Sequence, residues 1–523
     1  MNESTKDEPK KSGPIAVVDI NGSVVPENGY EPKSPDQQNH DGAKEQSSIW
    51  HRIVCCGGQY AKAWEAVASH PRWPAVSRAL ALSLLGLMLW GNAFSMAGGV
   101  AGPEGQLFRI GFLCVLAYLA GWIVHFTTLP PLLGMLLVGI ALRNIGFIAL
   151  TGPYVRVSSI LRKMALVVIL IRAGVGLDPA ALKRLGGMVL RLTVIPALME
   201  AVVVAVMSHY LLDMPWMWGF LLGAVLAAVS PAVVVPCLFQ LQDKGYGRKK
   251  GIPTLLIAAA TLNDIISISA FGVLLSIIFS TGDLTMQILN GPIGVILGFV
   301  CGGMCGMVLH FVPQRYDLHV VALRTVLLAA GGLLILIGSE AVGFDGAGPL
   351  GCIVAAFVAS HGWRAQGWNQ EKNPVEINFV ILWKMFQPVL FALIGTEIDL
   401  FVLDPTVVGL GMASVLGSLA IRILVSVVVV SGENLNWKEK IFISFAWFPK
   451  ATVQAAIGPV ALDTARRFSS LEGEHYGHNV LMIAVLSILL TAPIGAILIT
   501  MLGPRLLHRD EKDATERQPM QDS

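Results

Sequence analysis

The sequence predicts an all-α polytopic membrane protein of about 14 transmembrane helices, built as inverted six-helix repeats with two crossing broken helices. Three observations carry that prediction: the composition, the recurrence of apolar runs long enough to span a bilayer, and two proline-interrupted runs at matching places in the two halves. Of 523 residues, 54% are apolar and only 14% charged, against about 25% charged in soluble domains. Apolar runs of about 20 residues, the length that crosses a hydrocarbon core, recur nearly to the C-terminus. The net charge of +2 says little, because charges gather in loops and at the ends. Nothing in their arrangement suggests nucleic acid. Most of the seven Cys lie inside apolar runs, where Cys acts as a small hydrophobe, so no disulfide framework is implied.

Residues 1–75 are predicted to be a disordered cytosolic tail, polar and poor in large apolar side chains. Within it, 50–73 carries Trp and Arg and reads as an interfacial helix leading into the bilayer. No signal peptide is read at the start. The transporter domain is placed at 76–503, with repeats at about 105–280 and 320–502, and a short cytosolic tail at 504–523. The spans read at 76–97, 106–126, 131–150, 158–177, 185–212, 216–241 and 252–280, then at 291–312, 320–341, 348–361, 377–398, 407–431, 440–462 and 480–502. An even number puts both termini on one side. Basic residues at Lys183, Arg184, Lys244, Arg248, Lys249, Lys250, Arg315, Arg364, Lys372 and Lys438 place that side in the cytosol. Arg156, Arg162, Arg466 and Arg467 fall on the wrong side. The membrane itself reads as the plasma membrane or an endosomal or other organellar one.

The sixth span contains AVSPAVVVP, with Pro231 and Pro236, and the thirteenth contains AWFPKATVQAAIGP, with Pro449, Gly458 and Pro459. Proline removes a backbone donor and clashes with the preceding turn, so these five residues are expected to break their helices near mid-membrane. A single such helix is as well explained by an ordinary kink. Two of them, each fifth in its half, point to an inverted-repeat transporter with an ion site where the helix ends are exposed.

Buried charges follow the same pattern. Asp264, in TLNDIISISAF, lies at mid-span with Asn263 beside it and Thr261 and Ser267 three residues away on one helix face. A carboxylate at the bilayer centre costs about 2.5–3.5 kcal/mol on insertion scales, so it marks a function or a partner. Glu200 and Arg422 sit in the fourth span of each half and are expected to meet as a buried ion pair that fixes helix packing. Lys450 follows Pro449 at the second break, with Asp264 as its nearest candidate counter-charge. Arg172, Lys384 and Glu397 read as end-anchors or secondary pairs.

The stretches PPLLGMLLVGIALRNI, RAGVGLD, SPAVVVP, KGIPTLL, FQPVLFALIG, KEKIFISFAWFPKATVQAAIG and ALDTAR together resemble the cation:proton antiporter family, specifically the animal sodium/hydrogen exchangers of solute carrier family 9 subfamily B. The resemblance covers nearly the whole membrane region. It implies a sodium/proton antiporter-like fold of 13 or 14 helices, in which an ion-carrying core moves against a dimerisation domain by elevator-type alternating access. It also implies a homodimer and an extra N-terminal helix at 76–97. By position it makes Asp264 the ion- and proton-binding carboxylate, Lys450 the basic residue of the second broken helix, and Glu200 with Arg422 the buried salt bridge. The pattern departs at Asn263, where relatives carry a second acid. The Asn–Asp pair resembles electroneutral members of the wider family, although those often carry Arg at the position of Lys450.

The function expected is exchange of protons for Na⁺ or Li⁺ at one site, with no cofactor. The cation would bind deprotonated Asp264 with help from Asn263, Thr261, Ser230 and freed carbonyls near Pro231, and protonation of Asp264 would expel it. Two roles are open to Asn263: giving its carbonyl to the cation, or bracing the broken helices with its amide. The runner-up is a proton-coupled chloride transporter on the same fold, since losing an acid leaves the site more positive. An intramembrane aspartyl protease needs a second catalytic acid that the sequence lacks. A non-transporting sensor would show no flux, and a continuous pore suits broken helices around a single titratable group less well than a carrier does.

Overall fold

The computed structural model describes residues 73–509, apart from 128, 178, 248–249, 281–283, 369–372, 402–403 and 432–434. The expected interfacial helix and nearly all of both tails lie outside those residues. The first described element is α1 (Trp73–Ala97), whose residues up to Asn92 form a unit of their own: a continuous apolar helix, as its Leu-rich sequence demands.

The remaining described residues hold two six-part series. The first is α2 (Gln106–His125), α3 (Pro131–Asn144), α4 (Pro153–Gly176), α5 (Pro179–Leu212), the pair α6 (Trp216–Ala227) and α7 (Pro231–Asp243), and α8 (Ile252–Phe279). A linking helix, α9 (Leu284–Phe311), precedes the second. That series is α10 (Val320–Ala341), α11 (Ala347–Ala365), α12 (Pro374–Gly395), α13 (Pro405–Val430), the pair α14 (Trp437–Ala446) and α15 (Thr452–Arg467), and α16 (Leu471–Leu506). Ten of the described segments are long and apolar enough to cross a membrane. The chain is an all-α, multi-pass membrane protein.

Local signals set the helix ends. Pro131, Pro153, Pro231, Pro374 and Pro405 each open a helix, where the missing N–H costs nothing. Asp404 and Asn373 accept from the N–H groups of Thr406 and Val375, and Asn436 with Glu439 forms a capping box on α14.

The two interruptions differ from expectation in their extent. The first break occupies Ala228–Ser230 in extended conformation, with Pro231 starting the next helix, and the second lies between Trp447 and Ala451 around Pro449. Pro236, Gly458 and Pro459 were expected to break helices as well, and they do not: Pro236 lies inside α7, and Gly458 and Pro459 lie inside α15. Each proline forfeits one backbone bond, while α15 is packed on nearly every side and neighbouring helices hold its course. The helix α16 also runs past Pro504 to Leu506, beyond the predicted start of the tail.

Packing divides these helices into two sets. One comprises α5, α6, α7, α8, α13, α14, α15 and α16; the other comprises α2, α3, α4, α9, α10, α11 and α12. The sets meet chiefly where α8 packs on α9 and α11, and where α15 faces α4 and α12. Two glycines permit the close approaches that bring the breaks together. A Cβ on Gly223 would stand 2.5 Å from the carbonyl of Ala201, so α6 lies directly on α5 beside Glu200. One on Gly495 would stand 2.4 Å from Pro449, so α16 presses on the second break.

Candidate functional site

A helix that stops in the bilayer leaves carbonyls with no partner in its last turn, and hydrocarbon supplies none. The end of α6 meets this need with side chains. Gln454 donates through Nε2 to Val225 O (3.0 Å) and Ala228 O (2.8 Å). Lys450 donates through Nζ to Leu226 O. Ala227 O accepts from Asn263 Nδ2 at 2.9 Å and from Arg422 Nη1 at 2.6 Å. Two of the four donors are cations, which also suit the negative end of the helix dipole. The carbonyls of Val225, Leu226, Ala227 and Ala228, among those expected to be free for an ion, are therefore engaged.

The backbones at the crossing are stitched to each other. Ser230 N–H donates to Pro449 O at 2.9 Å, Thr452 N–H donates to Ser230 Oγ at 3.4 Å, and Lys450 N–H donates to Thr491 Oγ1 at 2.9 Å. The Ser230 hydroxyl thus serves the join between α7 and α15. Thr261 back-bonds to Ile257 O in its own helix at 2.9 Å.

Glu200 holds two cations. Its Oε2 pairs with Arg422 Nη1 and its Oε1 lies 2.6 Å from Lys450 Nζ, with all three side chains fully buried. This corrects the expected partner of Lys450, which is Glu200 rather than Asp264. The reason is tertiary: α5 packs against α13, and its Glu200 meets both Arg422 of α13 and Lys450 of the second break. Arg422 also lies 5.4 Å from the ring of Trp447 at the second break.

Asp264 has no ion-pair partner among the described residues. It is 5% exposed, and its Oδ1 accepts no hydrogen bond from any described residue. The cation whose field reaches it is Arg422. Asn263 is fully buried; because Ala227 O can only accept, the NH₂ of Asn263 must face it, which leaves Oδ1 buried and without a donor. Ser267 Oγ, one turn on, is likewise buried and unpartnered. The site therefore gathers desolvated oxygens around one ionisable carboxyl, beside a closed and neutralised set of cations.

Sequence reasoning singled out Asp264, Asn263, Glu200, Arg422 and Lys450 and missed Gln454, Thr452 and Thr491. Gln454 was legible in principle, as a polar residue four positions beyond Lys450 in the same predicted span. Also missed was a band of ion pairs at the far end of α15, where Arg162 meets Asp463 (2.7 Å) and Glu397 (3.1 Å), and Arg467 meets Asp345 (2.6 Å).

Known proteins share this architecture. Residues 114–503 match the family model described as "Sodium/hydrogen exchanger, transmembrane". The chain is 46% identical over 435 residues to Sodium/hydrogen exchanger 9B2 of Homo sapiens, covering 81% of this chain and 80% of the relative. It is 40% identical over 511 residues to the Xenopus tropicalis protein of the same name, covering 96% and 92%. Against Sodium/hydrogen exchanger 9B1 of Homo sapiens it is 41% identical over 432 residues, covering 81% and 82%. In fold it is similar to the sodium proton antiporter MjNhaP1 from Methanocaldococcus jannaschii, with a TM-score of 0.61 at 19% identity, covering 77% of this chain and 98% of that one.

Proposed function

The chain belongs to the sodium/hydrogen exchanger family, and on that premise we propose that it exchanges one proton for one Na⁺ or Li⁺ at a single site centred on Asp264. Ionised Asp264 binds the dehydrated cation, with Asn263 Oδ1 as a second oxygen. A proton on the same carboxyl displaces the cation, so the two cargoes compete. The relatives described above are all sodium/hydrogen exchangers, which supports the choice of ions.

The observation that carries the stoichiometry is the Lys450–Glu200 pair. Lys450 is held by Glu200 and the Leu226 carbonyl, and in this reading Asp264 is the group at the crossing that exchanges its proton. Glu200, ionised Asp264, Arg422 and Lys450 sum to zero. Binding Na⁺ adds one positive charge, and binding H⁺ adds one as well. Both loaded states carry the same charge, and exchange is electroneutral. A chloride-coupled reading needs a cation facing the site unopposed; both cations here are paired with Glu200 and with helix carbonyls.

The set containing α5–α8 and α13–α16 carries the site and moves against the other helices, giving alternating access of the elevator type. The thin contact between the two sets favours this. The homodimer follows from the family resemblance. The basic segment around Lys244 and Lys250 lies with the C-terminal end of the chain, where Tyr246 bridges Arg509, and that end faces the cytosol.

The test is proton flux in proteoliposomes under an imposed pH gradient with the membrane potential clamped. Flux should be triggered by Na⁺ or Li⁺, ignore Cl⁻, be insensitive to the clamped voltage, and vanish in Asp264→Asn. Flux that follows Cl⁻, or an Asp264→Asn protein that still exchanges, would overturn the reading.

A further inference from the structure

Gln454 is an odd residue to bury. It is fully enclosed on α15, four positions beyond Lys450, and its Nε2 is held by two carbonyls at once, Val225 O at 3.0 Å and Ala228 O at 2.8 Å. Carbonyls only accept, so the NH₂ must face them and the amide is fixed in one orientation. Its other end, Oε1, is buried and accepts no hydrogen bond from any described residue. Asn263 has the same arrangement one carbonyl away: Nδ2 on Ala227 O, Oδ1 buried and unpartnered. The two amides grip adjacent residues of one broken helix, each presenting a bare oxygen, and Asp264 Oδ1 beside Asn263 is a third. Capping the helix end requires only the donors. It does not account for three enclosed acceptors gathered beside the same break, and buried acceptors without donors are uncommon.

Small hard cations take oxygen ligands and require several of them to replace water. Building on the reading of Asp264 given above, we infer that Gln454 is a specificity-determining residue whose Oε1 coordinates the transported Na⁺ or Li⁺ together with Asp264 and Asn263. The clamp on Val225 and Ala228 sets where that oxygen stands. Because α15 supplies Gln454 and α8 supplies the other two, both repeats contribute to the ion's shell, and the distance between the two helices sets the size of ion that fits.

The experiment measures thermal stability in detergent, with LiCl or NaCl against choline chloride, and exchange kinetics in proteoliposomes. Gln454→Met keeps the length and volume and removes both polar atoms. It should lose most of the cation-dependent rise in melting temperature and raise KM for Na⁺ about tenfold or more, with a changed Na⁺ to Li⁺ preference. Equal KM values and an unchanged preference, at whatever maximal rate, would reduce Gln454 to a helix cap and overturn the inference. If Gln454→Met does not accumulate, Gln454→Glu decides. It retains an oxygen at that position, so it should keep cation-dependent stabilisation while shifting the Na⁺ to Li⁺ KM ratio at least about threefold; an unshifted ratio sinks the idea. Asp264→Asn separates the two readings. Cation stabilisation that survives Asp264→Asn removes the underlying site, whereas loss there with no effect at Gln454 removes only the inference about Gln454.

Discussion

Two regions of this protein concentrate charge, and they are built on opposite terms. At the crossing of the broken helices, Glu200 is paired with both Arg422 and Lys450 and all three are wholly buried, while Asp264 has no ion-pair partner among the described residues. At the far end of α15, Arg162, Asp463, Glu397 and Arg466 form one cluster, and Lys163, Glu340, Asp345 and Arg467 form another. There every acid is paired, and several side chains reach water: those of Arg466 and Arg467 are 32% and 36% exposed. The outer clusters link α15 to α4, α10 and the segments after α10 and α12. The comparison teaches that paired charges are accounted for by packing, whereas an unpaired buried carboxyl is what the proposed exchange requires. A fully matched set of charges holds helices in register, while a carboxyl left unmatched in low dielectric is available to a proton or an ion.

The sharpest way to break the comparison is Glu200→Gln. Arg422 and Lys450 would both lose their counter-charge with no water to replace it, a cost of about 3–5 kcal/mol. We expect little folded protein, read as loss of the monodisperse peak after detergent extraction, and no exchange in what remains. Next is Arg162→Gln in the outer cluster, which takes from Asp463 its close cation and leaves Glu397 with Arg466 alone. Water is closer there, and a loss of about 2 kcal/mol is expected, visible as a lowered melting temperature with KM for Na⁺ unchanged.

Acid sharpens the contrast further. Burial pushes the Glu397 carboxyl up, but Arg162 and Arg466 pull it harder the other way and hold it below its ordinary value of 4.5. A carboxyl lowered on folding contributes stability above its unfolded value and loses it as pH falls through the folded one. Melting temperature should therefore show no Glu397 contribution to its pH dependence between neutrality and pH 4.5, then fall below that, and Glu397→Gln should flatten the fall. Asp345 behaves differently: burial pushes it up, and Arg467 and Lys163 offset this only in part. Its link to Arg467 should thus be the first of the outer pairs to protonate. The smallest effect belongs to Arg467→Gln. Its side chain is 36% exposed, and removal should change stability by less than about 1 kcal/mol; a larger drop in melting temperature would mean that the outer clusters act as one network.

The outer clusters also explain a discrepancy in the charge pattern. Arg162, Arg466 and Arg467 contradict a topology in which basic residues mark the cytosol. Each is paired with an acid brought from elsewhere in the chain: Asp463 and Glu397 to Arg162, Glu397 to Arg466, Glu340 and Asp345 to Arg467. These arginines have a structural reason for their positions, which a count of loop charge does not weigh. Counting charges along the sequence cannot reveal this, because the partners lie up to 301 residues away.

What the sequence determined by itself is what local physics and repetition can express. Long apolar runs dictate helices in a bilayer, because no other open structure satisfies its backbone there. Proline in the runs around Pro231 and Pro449 dictates interruption, and their matching places in two halves dictate the crossing. A lone Asp264 in such a run announces a site. The tertiary structure alone decided who pairs with whom. Lys450 was nearest Asp264 by position in the repeat, yet Glu200 on α5 is the acid that its ammonium meets. Gln454 drew no notice in the sequence; its role comes from the end of α6, whose Val225 and Ala228 carbonyls it holds. Pro236 and Pro459 looked like breakers, and packing held their helices whole. Composition and spacing fix which groups must be satisfied; which atoms satisfy them depends on distances across the chain that no local pattern encodes.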